Sequence, residues 1–281
     1  MGAWVNFNGK FKEEGSPLIN ADNRSFRYGD GVFETIRAFG ERIPLWDLHM
    51  ARLFSGISLL GLSLDLQNDA DTLKNQVIAT LAKNRISGVA RVRLTVFGGN
   101  GGLFESDGKE GGYLIETWPL EISQIAFNEN GLELGWYKGG RKSCDGLSAI
   151  KSNSHLLYVM AARFAKKQKW NDAVVLNTFE RVCESAIANI FWIRDGQVFT
   201  PPLSEGCVAG VLRHYLIDRL KGTDLEVTET TATPSEIMEA DELFLTNAIS
   251  GLRWVKQLEE KSYSKSISRD ISGSTIFRDL C

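Results

Sequence analysis

Lys151 follows the apolar pair Ala149-Ile150 and opens the run Lys151-Ser152-Asn153-Ser154-His155-Leu156-Leu157. A lysine closing an apolar segment loses its charge readily once buried, and a neutral amine attacks an aldehyde carbon. By residue type alone it reads equally well as a solvated surface lysine. Glu184 begins a second run, Glu184-Ser185-Ala186-Ile187-Ala188-Asn189-Ile190-Phe191-Trp192, which is otherwise largely apolar. A carboxylate on such a strand can keep a heteroaromatic nitrogen protonated; the plainer reading is a glutamate at a strand rim. The third run is Ala209-Gly210-Val211-Leu212-Arg213. The first turn of a helix carries N–H groups with no intrahelical partner at the positive end of its dipole. Val211 and Leu212 are therefore placed to donate to a phosphate. Amine, acid and anion-binding turn together describe carbonyl chemistry on a phosphorylated heteroaromatic aldehyde.

The N-terminal half adds charged and aromatic groups. His49-Met50-Ala51-Arg52-Leu53 puts His49 and Arg52 three apart, on one face of a helix. The planar fork of Arg52 suits a fixed phosphate, although a surface arginine has the same spacing. Arg91-Val92-Arg93-Leu94 places two arginines on one face of a strand. Ahead of them stands Arg27-Tyr28-Gly29-Asp30-Gly31-Val32-Phe33-Glu34-Thr35-Ile36-Arg37.

These runs together resemble the class IV aminotransferases, fold-type IV pyridoxal-phosphate enzymes. That family includes branched-chain aminotransferase, D-amino acid aminotransferase and 4-amino-4-deoxychorismate lyase. Ser152 and Leu156 match the family pattern after the lysine, with Ser154 where an Asn is usual. Glu184, Asn189, Ile190 and Phe191 match Glu-x-x-x-x-Asn-[Ile/Leu]-Phe, and Gly210 to Arg213 resembles Gly-Ile-Thr-Arg with Leu212 replacing the threonine. His49, Arg52 and Leu53 match His-x-x-Arg-Leu, and the run from Tyr28 to Glu34 lies close to the family's N-terminal hallmark.

The resemblance implies a mixed α/β (α+β) fold of two domains, like that of D-amino acid aminotransferase, with the cofactor between them. It implies pyridoxal 5'-phosphate as cofactor and Lys151 as the Schiff-base lysine. Arg52, Glu184, Asn189, Val211, Leu212, Asn247 and Ala248 join Lys151 as implied cofactor ligands. Tyr28, Phe33 and Arg93 are the implied substrate wall, and Thr35 an implied catalytic residue. Two chemistries fit: transamination, and lyase cleavage of 4-amino-4-deoxychorismate to pyruvate and 4-aminobenzoate. Thr35 and Asn247-Ala248 resemble the lyase branch, whereas Arg93 and Glu34 lean towards branched-chain aminotransferases. The lyase is favoured narrowly. A non-catalytic ligand-binding module is the reading from another class, and it would have to keep Lys151 and Glu184 in apolar strands at a desolvation cost. The resemblance also implies a homodimer, with the glycine-rich turn 98–102 placed to complete the partner's site.

Bulk properties agree with an enzyme acting on a small amino-acid-like molecule. The 281 residues are 43% hydrophobic and 24% charged, with a net charge of −3. Such a balance gives no electrostatic footprint for nucleic acid or an anionic membrane. The start, Met1-Gly2-Ala3-Trp4-Val5-Asn6, has neither a basic region nor an apolar core, so no signal peptide is expected and the cytoplasm is the expected location. The four cysteines form no Cys-x-x-Cys, and the three histidines lie far apart, so neither a disulfide framework nor a metal site is expected. Gly135-x₄-Gly140-Arg141-Lys142-Ser143 misses a phosphate-binding loop because Arg141 intervenes between the glycine and the lysine.

Periodicity supplies the elements. Asn8-Gly9 between alternating apolar residues predicts a hairpin, and residues 32–39 with 42–45 predict a second. Asp47 is expected to cap a helix reaching Leu60, and a helix over 71–82 carries Leu73, Val77 and Leu81 at helical spacing. Strands are expected at 90–97, 113–118, 173–177, 188–194, 197–199 and 242–246. Further helices are expected at 154–167, with Leu156, Leu157, Met160, Ala161 and Phe164 inward, at 210–220, and as one amphipathic helix within 262–281. A composition break over 119–130 divides a small domain, residues 1–120, from a larger one, residues 121–281, that carries Lys151.

Overall fold

The structure, a computed structural model, describes residues 3–62, 69–104, 111–121, 126–278 and 280. Part of the expected break, residues 122–125, lies outside the described residues. The chain forms two compact units: one of Met1–Ser123 with Ile150–His155, the other of Gln124–Ala149 with Leu156–Cys281.

In the first unit, β1 (Trp4–Phe7) and β2 (Lys10–Glu13) form the first hairpin. Asn8 and Gly9 both take positive φ, 50° and 78°, the handedness that follows the strand twist through a two-residue turn. Next come α1 (Arg24–Tyr28), β3 (Gly31–Phe39), α2 (Trp46–Leu59), α3 (Ala70–Lys83), β4 (Val89–Phe97) and β5 (Gly112–Pro119). The strands make an antiparallel sheet in the order β2-β1-β5-β4-β3. Alternate residues of β3 and β4, among them Val32, Ile36, Ala38, Val92, Leu94 and Val96, face the core. Met50 and Leu53 of α2 and Leu73, Val77 and Leu81 of α3 close over them. A Cβ on Gly56 would stand 2.9 Å from Val32 Cγ1, so the glycine sets how closely α2 approaches the sheet.

Two local expectations fail here. The second hairpin shrinks to a single bridge between Phe39 and Arg42, while β3 pairs with β4 from Gly31↔Phe97 to Phe39↔Val89. Pro44 has no N–H to give a ladder, and Leu45 turns the chain with φ 59°, so the long-range ladder wins. The same turn starts α2 at Trp46, leaving Asp47 in the first turn rather than at the cap. There its charge still complements the helix dipole.

The second unit contains β6 (Leu132–Lys142), α4 (Leu156–Gln168), β7 (Asp172–Asn177), β8 (Val182–Ser185), β9 (Asn189–Arg194), β10 (Gln197–Thr200), α5 (Val211–Leu220), β11 (Val227–Glu229), α6 (Pro234–Glu239), β12 (Glu242–Asn247), β13 (Gly251–Leu258), β14 (Lys261–Ser262), α7 (Ser266–Gly273) and α8 (Thr275–Arg278). Among the described residues they build a nine-stranded mixed sheet, β11-β10-β9-β12-β13-β6-β7-β8, with β14 on β13. Phe191 and Phe244 stack across β9 and β12 with centroids 5.0 Å apart, while their strand neighbours Ile190 and Leu243 join Val174 and Val255 in a core on the other face. No helix among the described residues is long and apolar enough to cross a membrane.

Helix α4 keeps Ala161 buried and Leu157 and Phe164 packed on the core, as expected, but Leu156 and Met160 are exposed while Tyr158 and Ala165 are buried. Small alanines let the helix sit close against β6 and β7, and the large Leu156 and Met160 side chains are left outside. The C-terminal stretch is two helices rather than one. The Glu242 carboxylate accepts N–H bonds from Ile267 and Ser268 and pins the start of α7, and the chain leaves α7 at an extended Ser274.

The segment bearing Lys151, expected with the C-terminal half, packs with the first unit because its backbone extends the sheet. Phe33 N–H donates to Lys151 O (2.9 Å), Asn153 N–H donates to Gly31 O (2.8 Å), and Ser152 bridges Val32. Gly31 makes the approach possible, since a Cβ there would lie 2.4 Å from Asn153 Nδ2 and 2.5 Å from Val96 O. Gly31→Ala is therefore expected to destabilise the protein by about 1–3 kcal/mol, as overpacking does. Gly88→Ala, with open space around the new methyl group, is expected to stay within about 0.5 kcal/mol. Denaturant unfolding of the two variants compares them directly.

Candidate active site

The sheet extension fixes where Lys151 points. Its Nζ lies 4.4 Å from the centroid of the Phe33 ring. The guanidinium of Arg93, on the neighbouring strand, lies 3.8 Å from the same centroid, and His155 meets the ring edge-on at 4.8 Å. Thr35 stands directly opposite Arg93 in the β3–β4 register. Residues two apart on a strand share a face, so Phe33 and Thr35 turn away from the core on the face that carries Arg93. Two of the expected residues, Lys151 and Arg93, thus meet at the ring of a third, Phe33, with Thr35 opposite Arg93 on the same face. Burial lowers the proton affinity of the Arg93 guanidinium, while Glu116, its cross-strand neighbour, acts the other way. Tyr28 stands elsewhere, as the exposed last residue of α1 with Arg24 near its ring.

Glu34 points to the opposite face. Its carboxylate receives Arg52 through Nε (2.7 Å) and Nη2 (2.5 Å) and lies 2.6 Å from His49 Nδ1. The His49 and Arg52 spacing on α2 exists to meet this acid. Burial by itself would raise the Glu34 carboxyl, but the Arg52 and His49 charges and hydrogen bonds outweigh it and hold it at about 2. The Glu34 carboxylate is thus engaged by α2 within the first unit. Arg52, expected as a phosphate ligand, has its fork set by Glu34.

The turn 98–102 is tied to its own chain. Arg24 N–H donates to Gly99 O, Asn23 Nδ2 to Gly98 O, Gly101 N–H to Asp22 O, and Arg24 Nη1 to Gly102 O.

In the second unit Glu184 sits on β8, buried to 3% exposure, as the sequence pattern implied. Tyr158 O–H donates to its Oε1 at 2.5 Å, and Val208 N–H to its Oε2 at 3.1 Å, with Asn189 Nδ2 at 3.5 Å. These donors are neutral; they orient the carboxylate without cancelling its charge. A protonated pyridine nitrogen is the complement of such a group. Asn189 also donates to Val208 O (2.9 Å), so it holds the loop that holds Glu184. Tyr158 went unnoticed in the sequence because the apolar count favoured Leu156 and Met160, which lie outside, over a tyrosine that is buried. The Tyr158, Ala161 and Ala165 spacing was the available signal.

Helix α5 opens as the sequence suggested. Gly210 is its cap, the first i→i+4 bond runs from His214 N–H to Gly210 O, and Val211 and Leu212 fill the first turn with buried side chains. A Cβ on Gly210 would fall 1.8 Å from Asn189 Oδ1, so only glycine lets the turn pass this close. Leu212 directs a buried alkyl group inward and offers an anion its N–H alone. At the end of β12, Asn247 Oδ1 accepts from Ile249 and Ser250 N–H, folding Asn247-Ala248 into a tight turn. Beside it the buried Thr246 hydroxyl, opposite Asn189 in the β9–β12 register, lacks a hydrogen-bond partner among the described residues. A lysine beside an aromatic ring, an oriented buried acid and a helix start cleared by glycine fit the functional groups of a phosphorylated pyridine aldehyde.

The Glu34 cluster has a measurable pH signature. A carboxyl depressed in the folded state stabilises above its unfolded value, 4.5, and that contribution is lost as pH falls towards 2. Relative to Glu34→Gln, the parent's advantage in unfolding free energy is expected to be constant above about pH 4.5 and to shrink below it. A pH-independent difference would remove the assignment. Arg52→Ala, which leaves the acid buried with one partner fewer, is expected to cost about 3–5 kcal/mol.

Comparison with known proteins places this geometry. The profile of the amino-transferase class IV family matches residues 31–258. Aminodeoxychorismate lyase of Vibrio harveyi is 28% identical over 82% of this chain and 83% of its own. A Thermotoga maritima protein named "Probable branched-chain-amino-acid aminotransferase" is 34% identical over 83% of this chain and 78% of its own. The crystal structure of branched-chain aminotransferase from Thermoproteus uzoniensis with norvaline superposes with a TM-score of 0.88, covering 100% of this chain and 95% of that one at 24% identity, a likeness of fold. The chain belongs to the class IV aminotransferase family, and it is an enzyme of that family.

Proposed function

We propose that this enzyme uses pyridoxal 5'-phosphate and cleaves 4-amino-4-deoxychorismate to pyruvate and 4-aminobenzoate. The observation that carries the reading is the cluster around Phe33. The amine of Lys151 and the guanidinium of Arg93 meet at that ring, and the Thr35 hydroxyl stands opposite Arg93 in the strand register. The cofactor would be held by Lys151 at its aldehyde and by Glu184 at its ring nitrogen. Its phosphate would take the N–H groups of Val211 and Leu212 and the guanidinium that Glu34 aims. Bound there, it supplies an electron sink that acidifies the carbon carrying the substrate's amine.

The chain's own groups then divide the work. Lys151 Nζ takes the proton from that carbon. Arg93 orients a substrate carboxylate by a charge-assisted bond. Thr35 passes a proton to the methylene of the departing enolpyruvyl unit, which leaves as pyruvate while the ring becomes aromatic. Atoms balance without an amino-group acceptor or an oxidant. The lyase names among the relatives support this reading, as does a threonine hydroxyl facing Arg93. Transamination is the second reading, favoured by the 34% identity to the Thermotoga protein.

Purified protein supplied with 4-amino-4-deoxychorismate should release pyruvate and 4-aminobenzoate in equal amounts with no 2-oxo acid present. Activity only on L- or D-amino acids with 2-oxoglutarate would overturn the lyase assignment. Thr35→Val, close in shape, should lose about tenfold or more in turnover, a barrier increase of about 1.4 kcal/mol.

A further inference from the structure

Glu184 is not held by its strand alone, and its donors come from three elements of the second unit. Tyr158 reaches it from α4, Asn189 from β9 and Val208 N–H from the loop ahead of α5. Tyr158 makes the closest contact, 2.5 Å to Oε1, and its ring lies against the ammonium of Lys142, 5.1 Å from Nζ to the centroid. A cation near a phenol draws electron density from its oxygen and makes the O–H a better donor. Burial, together with the neighbouring Glu184 charge, pushes the Tyr158 phenol far up, so it stays a donor throughout the working range. The adjacent thiols are kept neutral in the same way: burial, then Glu184, pushes Cys207 up to about 12 and Cys183 well above the usual thiol range. No charged thiolate competes with the acid.

We infer that Tyr158, backed by Lys142, is a positioning residue that keeps Glu184 oriented and ionised, so that the proton it shares with a bound heterocycle resides on the ring nitrogen. This rests on the cofactor assignment above and goes beyond it, because the role of Tyr158 is carried by its hydrogen bond to the Glu184 carboxylate. It acts through the carboxylate. Donors to a carboxylate favour its charged form, so each one lost moves the shared proton from the nitrogen towards the oxygen. A less charged ring is a weaker electron sink and absorbs at shorter wavelength.

The test uses purified holoenzyme of the parent, Tyr158→Phe and Lys142→Met, read by the visible band of the bound cofactor across pH beside thermal unfolding. Phenylalanine keeps the buried ring and removes the hydroxyl alone. The variant is therefore expected to unfold within a few degrees of the parent, yet show a band shifted to shorter wavelength. The acid end of its titration should move up by about one pH unit, a tenfold change in proton affinity. Lys142→Met should move it the same way by a smaller amount, and this decides the matter should Tyr158→Phe fold poorly. A band and titration identical to the parent's in both variants would overturn the inference while leaving the cofactor assignment standing. A parent that shows no visible band with added pyridoxal 5'-phosphate would instead overturn both. A purely structural Tyr158 would shift the unfolding temperature and leave the titration unmoved.

Discussion

Two backbone hydrogen bonds, Phe33 N–H to Lys151 O and Asn153 N–H to Gly31 O, carry the rest of the candidate chemistry. They turn a lysine in a connecting segment into the edge of a sheet, and a sheet edge is positioned to within a fraction of an ångström by its register. Everything that surrounds the amine follows. Phe33 lies under Nζ because it is the residue that donates to Lys151, and Arg93 reaches the same ring from the next strand. Gly31 belongs to this constraint as well, because any side chain there would separate the edge from β3. The amine is thereby held against the Phe33 ring with the Arg93 guanidinium at the same ring.

The second unit solves a different problem, the burial of an acid. Glu184, opposite Val175 on the strand that α4 packs against, is only 3% exposed, and a buried carboxylate without donors is costly. Tyr158, Val208 N–H and Asn189 supply the solvation that water would have given. The elements that supply it also shape the neighbouring helix start, since Asn189 holds Val208 and occupies the space that makes Gly210 obligatory. The buried acids of the two units differ in kind: Glu34 of the first is paired with Arg52 and His49, whereas Glu184 of the second accepts from Tyr158, Val208 N–H and Asn189.

Much of this was legible in the residues. The amine, the acid and the glycine-opened helix announce themselves by type and neighbourhood, and α3 and β4 follow from local periodicity. What escaped is what depends on distant partners. That Glu34, on another element, holds the fork of Arg52 could not be read from the His49 and Arg52 spacing alone. Tyr158 escaped because Leu156 and Met160 outweighed two alanines in any count of apolar residues, although small residues are what a close helix–sheet contact needs. The second hairpin failed because a turn signal is local, whereas the ladder between β3 and β4 joins residues far apart in sequence.

The central claim is that Lys151 is the amine that binds an aldehyde cofactor. Reducing the protein with borohydride in the presence of pyridoxal 5'-phosphate and mapping its peptides addresses that claim without recourse to any substrate. The account predicts a single pyridoxyl label on Lys151, lost in Lys151→Ala. A label on any other lysine, or none, would contradict it.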